Sequence, residues 1–234
     1  MNGRTEAFMT TFNELEQYLR DSTNSDRSVP FGGLISRAED RQPAVRHYAR
    51  DLREWSDLRN AVVHEHPRGK VIAEITPEAL AEFQQMADTI LAPPPLYPRF
   101  RRDVRVFRES DPLTEAMEDI WREDYSQIIV RADGELMILS FAGITRWMGA
   151  AVQGTTIDLR GATVGSAMAY EKPGGIDFVP RTATIFDARH RFQRLNAKND
   201  QRLRVIVITE HGDATESPLG LVTASDILSA EPQR

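Results

Sequence analysis

The sequence predicts an α+β chain in which an all-α N-terminal domain precedes an α/β module. Three observations predict this class. Apolar residues recur at helical spacing through most of residues 6–91. Four prolines among residues 93–98 then interrupt the chain and predict a stiff linker. Two segments of similar pattern follow the prolines, which indicates an internal repeat.

The helical domain is predicted over residues 1–92. Phe8, Phe12, Leu15 and Leu19 have helical spacing and predict a helix over residues 6–20. The next segment, 21–33, is rich in Ser, Asn, Asp and Gly and predicts a mobile connector, followed by a short helical turn over 34–40.

Two further helices complete this domain. Pro43 opens a helix whose apolar residues continue to Val63, in the first-turn position that proline tolerates. After a short extended piece, Thr76 is a candidate N-cap for a helix with Pro77 in its first position that ends near Leu91.

The repeat is carried by two matching pairs of segments in residues 99–234. Met137-Ile-Leu-Ser140 matches Gly220-Leu-Val-Thr223, and Leu113-Thr-Glu-Ala116 matches Ile185-Phe-Asp-Ala188. Each copy predicts the order strand, helix, strand, turn, strand, helix. The first copy covers about residues 99–150 and the second about 160–230.

Polar side chains gather where the last strand of the second copy meets its helix. Thr223, Ser225 and Asp226 lie there beside the first free N–H groups of the helix. Such a terminus suits anions and hydroxyl groups. The alternative is that Thr223 or Asp226 serves only as a helix N-cap.

The two copies resemble a tandem pair of CBS domains. Gly220-Leu-Val-Thr223-Ala-Ser-Asp226 has the family's glycine, two apolar residues, Thr or Ser, two variable residues and Asp. The resemblance implies that Asp226 clamps a ribose hydroxyl pair, that Thr223 meets a phosphate, and that apolar strand residues enclose an adenine. Gly220 and Arg204 complete the candidate nucleotide-binding set of this copy.

The first copy departs from the motif. Ser140-Phe-Ala-Gly143 places a glycine where the family has Asp, although Ser140 and Thr163 match family positions. We therefore expect one working adenosine site and one degenerate site. The resemblance implies an adenine nucleotide as regulatory ligand and leaves AMP, ADP and ATP open.

Two neighbouring features have structural alternatives. The basic run at residues 99–102 is either a solvated linker or a source of phosphate contacts to the Asp226 cleft. Trp121, Trp147 and Met148 sit at helical spacing and are predicted to be core residues rather than a stacking platform.

A second candidate site lies near the end of the long helix. Arg59, Asn60 and His64 resemble the Arg, four variable residues, His motif of HEPN domains. The resemblance implies a metal-independent RNase in which His64 transfers protons, Arg59 stabilises phosphate and Asn60 supports them. The alternative is a helix C-terminus where His64 and His66 meet the negative end of the dipole.

The two resemblances together predict a homodimer, which is also one way to complete the second candidate site. Positions 59 and 64 lie about 140° apart on a regular helix, so Arg59 has to reach round the helix, the helix has to bend, or a second copy of the chain has to complete the site. In the HEPN family two such motifs commonly face each other across a dimer, and CBS pairs also associate.

Composition bounds the setting. The chain has 234 residues, no cysteine and a net charge of −6. The missing cysteines exclude disulfides and thiolate metal sites, and the acidic balance argues against a broad nucleic-acid-coating surface.

No long apolar span or signal-peptide pattern occurs, so we expect no membrane partner and a cytoplasmic protein. No metal site is predicted, because His64 and His66 lie on different sides of a helix and have no third ligand.

Three functional hypotheses remain open at this point. In the first, a nucleotide-sensing CBS module regulates a HEPN-type RNase that acts on RNA. In the second, the helical domain is not catalytic and the protein is a nucleotide-dependent adaptor. In the third, the CBS pair serves only for dimerisation.

Overall fold

A computed structural model describes residues 3–63, 74–196 and 203–230 of the chain. The chain divides into two compact units, Met1–Pro94 and Pro95–Arg234. The first unit is helical and the second mixes strands and helices, which confirms the predicted fold class. Among the residues described, no helix is long and apolar enough to cross a membrane.

The first unit packs four helices around aromatic residues. These are α1 (Gly3–Ser22), α2 (Phe31–Ala38), α3 (Pro43–Val63) and α4 (Pro77–Leu91). The predicted apolar stripe of α1 is fully buried. The centroids of the Phe8 ring and of the Phe83 ring in α4 are 4.7 Å apart. Thr76 caps α4 by accepting a hydrogen bond from the amide of Ala79, as predicted.

The connector between α1 and α3 differs from the prediction. Helix α2 begins at Phe31, inside the segment predicted to be a mobile connector. Phe31 and Leu34 are buried in the helical core. Hydrophobic burial of these two side chains outweighs the local preference of Gly32 and Gly33 for irregular structure.

The second unit contains two copies of the same β-α-β-β-α order. The first copy consists of β1 (Val106–Arg108), α5 (Leu113–Arg122), β2 (Gln127–Ala132), β3 (Glu135–Ser140) and α6 (Phe141–Ala151). A short hairpin, β4 (Val152–Gln153) with β5 (Thr156–Ile157), and the helix α7 (Val164–Met168) follow. The second copy consists of β6 (Ile176–Pro180), α8 (Ile185–Asn196), β7 (Val205–Thr209), β8 (Gly220–Thr223) and α9 (Ala224–Ser229).

Each copy forms a three-stranded sheet with one parallel and one antiparallel pairing. Strand β1 runs parallel to β2, and β2 runs antiparallel to β3. The second sheet repeats this with β6, β7 and β8. The parallel pair in each sheet is joined by a helix, because a parallel connection has to cross over the sheet.

The inner faces of the two sheets share one apolar cluster. Ile129 and Ile138 of the first copy pack with Val205 and Val207 of the second. All four side chains are nearly or fully buried. Neither three-stranded sheet buries this face alone, so the two copies stabilise each other.

One core prediction was wrong. Trp147 is buried as expected, but Trp121 is 86% exposed. Ile120 is one of the α5 residues buried in the core of the first copy, and the next residue points about 100° away on a helix. The side chain of Trp121 therefore lies on the outer face of α5.

Candidate functional site

The turn between β8 and α9 brings together the residues of the second-copy motif. Thr223 is the N-cap of α9, and Asp226 is the third residue of that helix. One oxygen of Asp226, Oδ2, accepts hydrogen bonds from both the amide and the hydroxyl of Thr223, each 2.8 Å long. The motif thus forms a capping box, and it also gathers a hydroxyl and a carboxylate at one helix terminus.

The other oxygen of Asp226 is bound by Arg102. The Nη2 atom of Arg102 lies 2.8 Å from Oδ1 of Asp226, and the two side chains are 47% and 20% exposed. Burial by itself raises the pKa of Asp226, but the hydrogen bonds from Thr223 and the charge of Arg102 bring this pKa below its ordinary value. The carboxylate of Asp226 is therefore ionised at neutral pH. Arg102 is the more exposed member of this ion pair.

Gly220 holds the basic run against β8. Arg101 forms an isolated bridge with Gly220. A Cβ atom at position 220 would lie less than 3.0 Å from the carbonyl oxygen of Phe100. Gly220 thus permits a close backbone approach that carries Arg102 to Asp226.

A cavity of about 410 Å³ opens beside this turn. Thr223 and Arg102 line it. Its apolar walls come from both copies and consist of Val104, Phe107, Ile128, Ile129, Val205 and Leu221. Its size is typical of small-molecule sites, and its walls combine these apolar side chains with a larger number of charged and polar ones.

Charged pairs form another wall of the cavity. Arg105 and Arg122 both bind the buried carboxylate of Asp119, at 2.7 Å and 2.5 Å. The second copy has the same pair with the charges exchanged. Asp177 and Arg191 occupy the positions that correspond to Arg105 and Asp119, and their side chains are 2.8 Å apart.

The corresponding turn of the first copy holds a carboxylate from elsewhere. Ser140 caps α6 by accepting a hydrogen bond from the amide of Gly143. The Oε2 atom of Glu171 accepts hydrogen bonds from the amide and the hydroxyl of Ser140, both 2.6 Å long. The side chain of Glu171 is only 7% exposed.

The remaining predicted residues of the second unit lie away from Asp226. Arg204 has its Nη1 atom 3.9 Å from Oε1 of Glu171, so it lies at the first-copy turn with Ser140. Thr163 caps α7 and exchanges hydrogen bonds with Ser166. The six predicted residues thus separate into one group at Asp226 (Gly220, Thr223 and Asp226), one at Glu171 (Ser140 and Arg204), and Thr163 at α7.

The candidate site of the helical unit is only partly described. Arg59 donates a hydrogen bond of 3.3 Å to Oδ1 of Asn60, and its guanidinium lies over the ring of Phe12 at 5.8 Å. His64 and His66 fall outside the described residues. In the segments that the structure covers, no group of three His, Cys, Asp or Glu side chains is placed to hold a metal ion.

Sequence reasoning missed Glu171 and left Arg102 undecided between two interpretations. The alignment of Leu113 with Ile185, extended to the flanking residues, would have revealed the exchanged charges of Arg105 and Asp177. Nothing in the sequence around Glu171 matches the motif that it completes, because it stands 31 residues after Ser140.

Comparison with known proteins supports a CBS fold for the second copy. Residues 175–232 match the CBS domain family. No curated protein matches the chain.

Three solved structures illustrate the similarity. A CBS domain-containing protein of unknown function from Kribbella flavida is 14% identical, with 56% of this chain and 94% of that chain covered and a TM-score of 0.42. A signal-transduction protein with CBS domains from Burkholderia ambifaria is 12% identical, with 55% and 82% covered and a TM-score of 0.39. CBSX2 in complex with AMP is 18% identical, with 56% and 89% covered and a TM-score of 0.37.

Proposed function

We propose that this CBS-containing chain is a regulatory protein that binds one adenine nucleotide in the cavity beside Asp226. The observation that carries the proposal is the placement of a hydroxyl and a guanidinium in the lining of the cavity, both bound to an ionised carboxylate at the adjoining turn. These groups belong to Asp226, Thr223 and Arg102.

The chemistry of the cavity suits the three parts of a nucleotide. A carboxylate accepts two short hydrogen bonds from a vicinal diol, which suits Asp226 to a ribose. Apolar side chains such as Ile129 and Leu221 suit the faces of an adenine. The guanidinium of Arg102 suits a phosphate, because its donors match phosphate oxygens in pairs.

Ligand binding requires Arg102 to leave Asp226. Both oxygens of Asp226 accept hydrogen bonds within the chain, and Arg102 holds Oδ1. The ribose hydroxyls replace Arg102 there, and the released guanidinium turns to the phosphate. Because Arg102 is about half exposed, its release costs less than breaking a buried pair.

Calorimetric titration of the full chain with AMP tests this proposal. We expect one site per chain, and we expect Asp226→Asn and Asp226→Ala to weaken AMP binding by about 1.5–3 kcal/mol, the range for hydrogen bonds to a charged group. Ser229→Ala on the same helix is the control and should bind as wild type does. Unchanged affinity in Asp226→Asn, or two equivalent sites in wild type, would refute the proposal.

Arg102→Ala separates the two contacts of this arginine. Adenosine lacks a phosphate, so its affinity should stay the same or rise when Arg102 no longer competes for Asp226. AMP should bind more weakly, because it loses a charged partner. Equal effects on adenosine and AMP would contradict a phosphate role for Arg102.

A finer proposal concerns the helical unit, where Arg59 and Asn60 lie side by side near the end of α3. In this proposal the unit is a HEPN-type RNase that the nucleotide regulates, with His64 as the proton-transfer group and Arg59 at the phosphate. Cleavage by the RNA's own 2′-hydroxyl needs only these two roles. The non-catalytic adaptor is the alternative.

The RNase proposal is tested with single-stranded RNA in the presence of a chelator. We expect cleavage that leaves a cyclic phosphate and that falls by roughly 10²–10⁴-fold in His64→Ala. Arg59→Ala should also lose activity, and Arg50→Ala, an exposed arginine of the same helix, should keep it. Activity that survives in His64→Ala would exclude this mechanism, and inactive wild type would favour the adaptor.

A further inference from the structure

Each of the two strand-to-helix turns of the second unit binds a carboxylate through the amide and the hydroxyl of its N-cap residue. Ser140 and Thr223 occupy equivalent places, since each ends the third strand of its copy and caps the helix behind it. At Thr223 the amide and the hydroxyl donate to one oxygen of Asp226. At Ser140 the amide and the hydroxyl donate to one oxygen of Glu171.

The two carboxylates reach their turns by different routes. Asp226 belongs to the capped helix itself, three residues after Thr223. Glu171 belongs to the segment that leads into β6. At the equivalent position of the first helix stands Gly143, and a Cβ atom there would lie less than 3.0 Å from Oε2 of Glu171. The carboxylate of Glu171 therefore fills the space that an aspartate side chain at position 143 would need.

The first-copy carboxylate is also the more deeply enclosed of the two. Glu171 is 7% exposed, whereas Asp226 is 20% exposed. Its second oxygen accepts a hydrogen bond from the amide of Lys172, with Arg204 at 3.9 Å. Both oxygens of Glu171 are thus engaged by the chain.

We propose that Glu171 is the built-in occupant of the first-copy turn: it replaces the missing aspartate and closes this turn to ribose-bearing ligands. The residue thereby determines which of the two copies accepts a ligand. At the second turn, the side chain that enters from another segment is the half-exposed Arg102. When Arg102 moves away, the carboxylate of Asp226 becomes available to a ligand. At the first turn, the side chain that enters from another segment is Glu171, so the carboxylate itself comes from outside the capped helix. The statement about ligands rests on the proposed function, and the statement that Glu171 replaces the aspartate does not.

Thermal unfolding of four full-length proteins tests the replacement. Glu171→Ala leaves the amide and hydroxyl of Ser140 without their acceptor, so its Tm should fall by roughly 3–12 °C. Gly143→Asp should also lower Tm, because it brings a second carboxylate into the space of Glu171. The double variant returns the carboxylate to the helix and should have a higher Tm than either single variant.

The control is Glu118→Ala, which removes an exposed carboxylate from α5 and should leave Tm within about 2 °C of wild type. The proposal is overturned if Glu171→Ala behaves as this control does. It is also overturned if the double variant loses as much Tm as the two single variants together, since the substitutions would then act independently.

Titration with AMP tests the closure. Wild type should bind one AMP per chain and the Gly143→Asp, Glu171→Ala variant two. Adding Asp226→Ala to that variant should return the stoichiometry to one. A double variant with restored Tm that still binds a single AMP would overturn the closure. If none of the proteins binds AMP, the proposed function fails, and the unfolding temperatures alone decide whether Glu171 replaces the aspartate.

Discussion

At the residue scale, a charged pair on the loop between β7 and β8 links the local structure to pH. Glu216 accepts hydrogen bonds from the amide of His211, at 2.8 Å, and from its ring nitrogen Nδ1, at 2.6 Å. The amide bond first and the ring second lower the pKa of Glu216 to about 2. The same carboxylate raises the pKa of His211 above 6.5, through its hydrogen bond and its charge.

These shifts predict a pH window for the loop. The contribution of Glu216 is present above its ordinary value of 4.5 and is lost as pH falls towards 2. The contribution of His211 is present below 6.5 and is lost as pH rises through its raised pKa. The pair should therefore stabilise the loop most between about pH 4.5 and 6.5.

Glu216→Gln tests this pair. Without the carboxylate, the pKa of His211 should fall back towards its ordinary value, because the glutamine carries no charge to favour the imidazolium. The measurement is an NMR titration of the His211 ring in wild type and variant. Identical titration curves would contradict the pairing.

Single residues also mark the limit of sequence reasoning. Thr223 and Asp226 were predictable together because a capping box is local, with its members three positions apart. Glu171 and Ser140 were not, because their contact spans 31 residues and depends on how the chain turns between the two copies. Trp121 was misplaced because periodicity alone did not fix which face of α5 meets the sheet.

At the element scale, Gly220 permits the basic run to pass next to β8. We expect Gly220→Ala to lower the free energy of unfolding by about 1–3 kcal/mol, because its Cβ atom meets the carbonyl oxygen of Phe100 and backbone has to move. Arg102 lies two residues after Phe100, so a shift of this backbone should displace the Arg102 side chain as well. The Gly220→Ala variant should therefore also bind AMP more weakly.

Gly149 in α6 is the matched control. A Cβ atom at position 149 has open space around it, and the residue lies inside a helix. Gly149→Ala should therefore raise the free energy of unfolding by about 0.4–1 kcal/mol. Urea denaturation measures both changes, and equal effects of the two substitutions would show that the close approach at Gly220 has no energetic weight.

The element order of the second unit was predictable in detail for a physical reason. Two copies of one pattern constrain each other, so the matches at Leu113 with Ile185 and Ser140 with Thr223 fixed helices α5 and α8 and strands β3 and β8. The hairpin β4–β5 and the helix α7 have no counterpart among the described residues of the second copy. They were not predicted, because no repeat supported them.

At the scale of the whole molecule, exposed apolar side chains bear on the predicted homodimer. Trp121 is 86% exposed, Leu228 72% and Phe141 63%, and each lies on a helix of the second unit. A contiguous apolar patch is a common mark of an association surface, whereas single exposed apolar side chains are normal on a protein surface. The predicted dimer would bury such side chains in a symmetric contact, which closes without leaving a copy of the surface open.

Light scattering at micromolar concentration tests this prediction. Wild type should have twice the chain mass of 26.5 kDa, and Trp121→Ser should have the mass of one chain. Glu118→Ala, on the same helix, should remain dimeric. A monomeric wild type would contradict the dimer, and a dimeric Trp121→Ser would place the interface on another surface.

The exchanged charges of the two copies bear on how a duplicated chain reaches one arrangement. Each crossover helix has a similar strand pair available in the other copy, so the wrong helix could dock during folding. Docking α8 against β1 would put Arg191 beside Arg105, and docking α5 against β6 would put Asp119 beside Asp177. Like charges repel in both mistaken pairings, whereas both correct pairings join opposite charges. The exchange of charges between the copies thus favours the docking of each helix on its own sheet. Two copies with identical charges would not have this preference.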